Sequence, residues 1–261
     1  MTTSGTTMTP GRGAAITAAV TGPLLLVLSF AQSADGPKVA TATPAQIRAW
    51  GLAEASAVRV GALGAMLSVV VWLILTAALT RVARDALPRS LLADVFAGAG
   101  YLLTVALFLA SVADALPVVL PDLIGARLTT VDDDVLRGWY GLTGFTHLIG
   151  DFQMAFIALL VGAFSLVVLR TGVAPRWIGW LGMAITVAAA LGTAGVTTNT
   201  GPLYGFWMGG IFGWALWCPI VGVALGLRSR ARRRAAAAPS LPHERLVASE
   251  SPAVEQGGGV R

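Results

Sequence analysis

Two residues in the stretch "GFTHLIGDFQMAFIALLVGAF", His147 and Asp151, have side chains and spacing suited to chemistry. Four residues apart on a helix, they share one face. There an imidazole and a carboxylate can form an ion pair, an acid–base couple or two ligands of a metal ion. His147 is one of only two histidines in the chain, so schemes that need several imidazoles are short of them. A membrane haem lacks a second axial histidine among the apolar segments, and zinc hydrolases usually draw on several His or Cys ligands. Asp114, Asn199 and the triple Asp132, Asp133 and Asp134 are the polar residues that could complete a hard-cation or acid–base site. No G-x-S-x-G elbow, Walker loop or H-E-x-x-H motif is present. The candidate outer polar site is therefore His147, Asp151, Asp114 and Asn199, with no catalytic residue, metal or cofactor assigned. The simplest role for His147 and Asp151 is to pair with each other.

The elements that position these residues follow from composition. Of 261 residues, 56% are hydrophobic and 12% charged, against roughly 25% charged in a soluble domain. The apolar residues lie in six blocks: Ala14 to Ala31, Val58 to Thr80, Leu91 to Ala113, Leu148 to Leu169, Trp177 to Thr197 and Tyr204 to Leu227. Each can cross a hydrocarbon core of about 30 Å, which takes about 20 helical residues. Only helices and closed barrels satisfy their backbone in lipid, and continuous apolar blocks without alternation exclude the barrel. The expected fold is an all-α, polytopic transmembrane helical bundle of six spans over 13–228, flanked by disordered segments 1–12 and 229–261.

Charge gives the orientation. With six spans, the side bearing both termini holds 13 of 18 basic and 5 of 13 acidic residues, a balance of +8 against −3 on the other side. The positive-inside rule then places both termini in the cytoplasm. The net charge of +5 reflects topology, and nucleic acid is not an expected partner. The single Cys218 allows no intrachain disulfide. Although "SFAQSA" after the first apolar run looks like a signal-peptidase site, that run is longer than a cleaved signal's roughly 7 to 15 residues, and a retained first helix is expected.

Depth discriminates among mechanisms. Arg170 marks the inner end of the fourth span, and Asp151, 19 residues away, stands about 28 Å off at 1.5 Å per residue. Asp151 is therefore placed just inside the outer boundary, His147 at headgroup level, and Asp114 on the outer side. No charge is left at the midplane, where coupled transporters carry theirs. Thr17, Thr21, Ser68, Thr76 and Thr104 could line a channel, but each can bond its own helix backbone instead.

Between spans, "TPAQIRAW" carries a capping box, with Thr43 as cap, Pro44 at the first helical position and Gln46 reaching back. This helix is expected to run into the second span. From Asp114 to Thr146 the prolines Pro117 and Pro121 argue against a continuous helix. In the last span Gly205, Gly209 and Gly213 recur every four residues, a spacing that lets two helix backbones approach closely in lipid.

The order "TPAQIRAW", "RVGALGAMLSVVVWLILTAAL" and "LRTGVAPRWIGWLGMA", with six spans and a basic tail, resembles uncharacterised six-helix bacterial membrane proteins of the domain-of-unknown-function 4386 type. The resemblance covers roughly residues 10 to 228, implies an integral membrane protein, and carries over no catalytic residue. The expectation is a non-enzymatic, multi-pass protein of the bacterial inner membrane, embedded in lipid and binding a small ligand, lipid or membrane-protein partner at its outer face. A small transporter or channel is the first alternative, and an outer-leaflet metal-dependent hydrolase the second.

Overall fold

The computed structural model describes residues 11–29, 36–194 and 202–237, and the accounts below concern these. The structure is all-helical, without strands among the described residues. The helices are α1 (Gly11–Ser29), α2 (Pro44–Ala53), α3 (Ala55–Ala86), α4 (Leu92–Leu123), α5 (Asp133–Thr171), α6 (Arg176–Thr193) and α7 (Pro202–Ala237), with a 3-10 turn at Leu128–Thr130. The chain divides into a compact unit, Met1–Ser229, and a second unit, Arg230–Arg261. In the second, residues 230–237 are helical, within the stretch expected to be disordered, and their Arg and Ala composition favours helix.

Four helical segments are long and apolar enough to cross a membrane: Ala55–Ala86, Leu92–Leu123, Phe152–Thr171 and Leu203–Ala231. The apolar part of α1, Gly13–Leu25, is shorter, and α6 has 18 residues beginning with Arg176. Both are nonetheless packed into the compact unit. A β-carbon at Gly22 of α1 would lie 2.8 Å from the Cys218 carbonyl oxygen of α7, and one at Gly210 of α7 would lie 2.9 Å from the Ala189 Cα of α6. Small residues at such crossings let helices pack backbone to backbone.

Several helices outrun the lipid thickness. The 39 residues of α5 measure about 58 Å at 1.5 Å per residue. It begins at Asp133 because the Asp132 carboxylate accepts hydrogen bonds from the Asp134 and Val135 amides. It ends at Gly172, whose φ of 63° makes the left-handed C-cap. The capping box of α2 is present, with Thr43 Oγ1 accepting from the Gln46 amide and Gln46 Oε1 accepting from the Thr43 amide. One residue, Glu54 (φ −103°, ψ 9°), separates α2 from α3 where an uninterrupted helix was expected.

Helix α4 runs unbroken through Pro117 and Pro121, correcting the interruption expected there. Both rings are buried among neighbouring side chains. Each proline removes one hydrogen bond from the helix, a loss that apolar helices tolerate when packed neighbours hold them.

Two cores result. The larger, among all helices except α2, centres on Trp72, Phe96, Phe164 and Trp217, each fully buried, with Trp214 beside them. Trp72 and Trp214 meet edge to face with ring centroids 5.0 Å apart, and Phe164 and Trp217 at 5.8 Å. The smaller core joins Ile47 of α2 to Val131, Leu136 and Tyr140, with Val39, Trp50, Leu128 and Trp139 packed around it.

Candidate functional site

The smaller core lies beyond the apolar segments and forms a folded cap. Its charged residues include Asp132, Asp133 and Asp134, offered by the sequence for a hard-cation or acid–base site, and most have structural duties. Arg48 Nη2 lies 2.6 Å from the Asp133 carboxylate and donates to the Val131 carbonyl. Asp132 caps α5, Asp134 sits 3.7 Å from Arg137, and Asp122 pairs with Arg59. The Tyr140 hydroxyl donates to the Pro37 carbonyl, and Trp50 packs edge-on against its ring at 5.7 Å. A β-carbon at Gly36 would lie 2.6 Å from the Tyr140 oxygen and 3.4 Å from the Trp50 ring. The segment 36–43 is thus clamped across α2 and α5.

Tyr140 has the shifted titration in this region: burial raises its pKa above the ordinary 10.0, and the negative charge of Asp114 raises it further. This interaction ties Asp114, on an exposed face of α4, to the cap. The α4/α5 register agrees. Phe96 stacks against Phe164 at 5.4 Å, and Gly100 lies under Leu160. Continuing that antiparallel register sets position 114 opposite 146, level with position 147. Positions 147 and 151 belong to α5. The side chains of His147 and Asp151, and the whole of Asn199, lie outside the described residues. Among described residues no group of three His, Cys, Asp or Glu is placed to hold a metal.

The glycines of the last helix divide. Gly213 packs on α6, where a β-carbon would meet Ile185 Cγ1 at 2.8 Å. Gly209 has ordinary van der Waals room, 3.8 Å from the Ala188 β-carbon, and Gly205 has nothing within 4 Å among the described residues. Backbone meets backbone at Gly210 of α7 and at Gly192 of α6, whose β-carbon would lie 2.8 Å from the Trp207 Cα.

Most buried hydroxyls bond their own helix: Thr21 to the Thr17 carbonyl, Ser68 to Gly64, Thr80 to Thr76 and Thr104 to Gly100. The hydroxyls of Thr76 and Ser165 are buried without a hydrogen-bond partner among the described residues.

Two ion pairs join α3 to α4, Arg84–Asp94 at one end and Arg59–Asp122 at the other. Twenty-five residues separate the arginines and 28 the aspartates, about 38 and 42 Å of helix. The apolar stretch between them therefore exceeds a hydrocarbon thickness of about 30 Å and leaves both pairs outside it.

Sequence reasoning missed Arg48, Trp50 and Tyr140 as cap residues. A signal was present: the capping box starts a helix carrying Ile47 and Trp50 one turn apart, and such an apolar stripe in an outer loop needs a partner. Its partner, on Leu136, Trp139 and Tyr140, lies about 90 residues downstream and was not identifiable from local pattern.

Fold and site together define a class: an all-helical protein with several apolar helices suited to a membrane. No family model, no curated protein and no solved structure matches the chain.

Proposed function

We propose that this is a multi-pass protein of the bacterial cytoplasmic membrane, with six spans and both termini in the cytoplasm, that acts by binding a small ligand at its outer end and not by catalysis. The six-span reading is supported by the packing of the two shorter helices, α1 and α6, directly on α7. Their backbones share the bundle with the long helices. Orientation rests on the charge asymmetry of the two ends.

The observation that supports the binding site is the α4/α5 register at the outer end of the bundle. The α4/α5 register sets Asp114 opposite position 146, at the level of position 147, and the charge of Asp114 adds to the burial that raises the Tyr140 pKa. The bundle centre, by contrast, is filled by Trp72, Trp214, Trp217, Phe96 and Phe164, which argues against the transporter alternative.

Native mass spectrometry and elemental analysis of the purified wild type and Asp114→Asn test this reading. The expected result is an organic ligand carried by the wild type and lost from the variant. Stoichiometric metal in the wild type alone would favour the hydrolase. Two preparations that carry nothing and melt at the same temperature would end the outer-site reading.

A further inference from the structure

At the basic end of the bundle, opposite the cap, an open groove of about 500 Å³ lies between α6 and α7. Its floor and walls are apolar, from Ile178, Pro219, Ile220, Val223 and Leu227, and Arg228 closes one end with Trp177 beside it. We propose that this groove holds one phospholipid with an anionic head group, its acyl chain along α7 and its phosphate on Arg228. The inference rests on the membrane reading above but on neither the outer site nor the orientation.

Three observations specify the occupant. First, the groove is apolar and opens outward, and Val223 and Leu227 on it are 44% and 59% exposed, as suits a surface covered by a lipid tail. Second, Arg228 is held in place. One Nη donates to the Gly172 carbonyl at the C-cap of α5, and a guanidinium with five N–H donors in a planar fork keeps others for a phosphate. Third, the charge is complementary. Asp85 and Asp94, the described carboxylates at this end, pair with Arg81 and Arg84. Arg170, Arg176 and Arg228 have no ion-pair partner among the described residues. Trp177, 58% exposed, suits the headgroup level that tryptophan favours, and α6 begins there without a side-chain cap, so its positive dipole end faces the same place.

The test is lipid retention by native mass spectrometry, on protein exchanged into detergent with equal phosphatidylglycerol and phosphatidylcholine. The wild type is expected to keep one phosphatidylglycerol in preference to phosphatidylcholine. Arg228→Gln should bind it about tenfold more weakly, as fits the loss of a charge-assisted hydrogen bond, and Arg228→Lys should recover part of the preference. Because Arg228 also bonds Gly172, a second variant leaves that contact intact. Val223→Trp fills the groove from its exposed side, and should exclude the lipid while the lipid-free melting temperature stays unchanged. Equal retention of both lipids by the wild type overturns the proposal, as does undiminished phosphatidylglycerol on Val223→Trp. Retention that arises only after residues 238–261 are deleted makes the groove the seat of the chain's own tail, and overturns it too. Release of the protein from membranes by alkaline carbonate would instead refute the membrane reading itself.

Discussion

Tyr140 joins three stretches of chain that are far apart in sequence. Its ring packs with Ile47 and Trp50 of α2, its hydroxyl donates to Pro37, and its own helix continues into the bundle. At 4% exposure, the phenol is favoured in its neutral form, by burial first and by Asp114 second. A folded-state pKa above the unfolded value means that the native protein holds its proton more tightly. The stabilisation is complete below pH 10 and is lost as pH rises through the folded value. Tyr140→Phe removes the hydroxyl, leaves the Pro37 carbonyl unpaired, and should destabilise by about 1 kcal/mol at neutral pH. Above pH 10 the wild type should lose stability more steeply than the variant. Denaturant melts of both proteins at pH 8 and 11 check this, and parallel pH dependence would show that the hydroxyl is not held as described.

At the scale of elements, helix existence was legible and helix partnership was not. The apolar blocks, the Thr43 capping box and the Asp132 to Asp134 run announce helix positions through local chemistry that needs no neighbour. The prolines of α4 misled because proline's cost is a local quantity, whereas its tolerance at Pro117 is set by packing that a single segment does not encode. The glycine stripe in α7 shows the same limit. A four-residue spacing identifies a face, but which face meets a neighbour is fixed by the rotation of the helix. The face meeting α6 carries Trp207, Gly210 and Gly213, offset from Gly205 and Gly209. Gly210→Leu forces its side chain against the Ala189 backbone and should destabilise by about 1 to 3 kcal/mol or more, as overpacking does. Gly205→Leu enters open space and should be nearly neutral or slightly stabilising, because leucine is the better helix former. Melting temperatures in one detergent decide, and equal losses from the two variants would mean that α7 is rotated from this arrangement. Likewise the candidate polar group was legible as residue types, while the level that brings Asp114 to positions 146 and 147 emerges only from the α4/α5 register.

For the whole molecule, the two ends differ in both charge and construction. One end is a folded cap in which arginines and aspartates neutralise each other across elements, through Arg48–Asp133 and Arg59–Asp122. The other end leaves Arg89, Arg170 and Arg176 without ion pairs among the described residues, and they keep their charge for the surroundings. An end rich in arginine is what the positive-inside rule retains in the cytoplasm, while an end with fewer basic residues can cross. The orientation can be read directly with single cysteines in a Cys218→Ala background. Arg89 is exposed at the basic end, and the Asp134 side chain is 91% exposed on the cap, so Arg89→Cys and Asp134→Cys disturb no core. In intact cells an impermeant thiol reagent should label position 134 and spare position 89, and permeabilised cells should label both. Labelling at 89 alone in intact cells would invert the topology, and with it the leaflet whose lipid meets Arg228. Labelling at both in intact cells would mean that the apolar stretch between the two ion pairs does not separate two compartments.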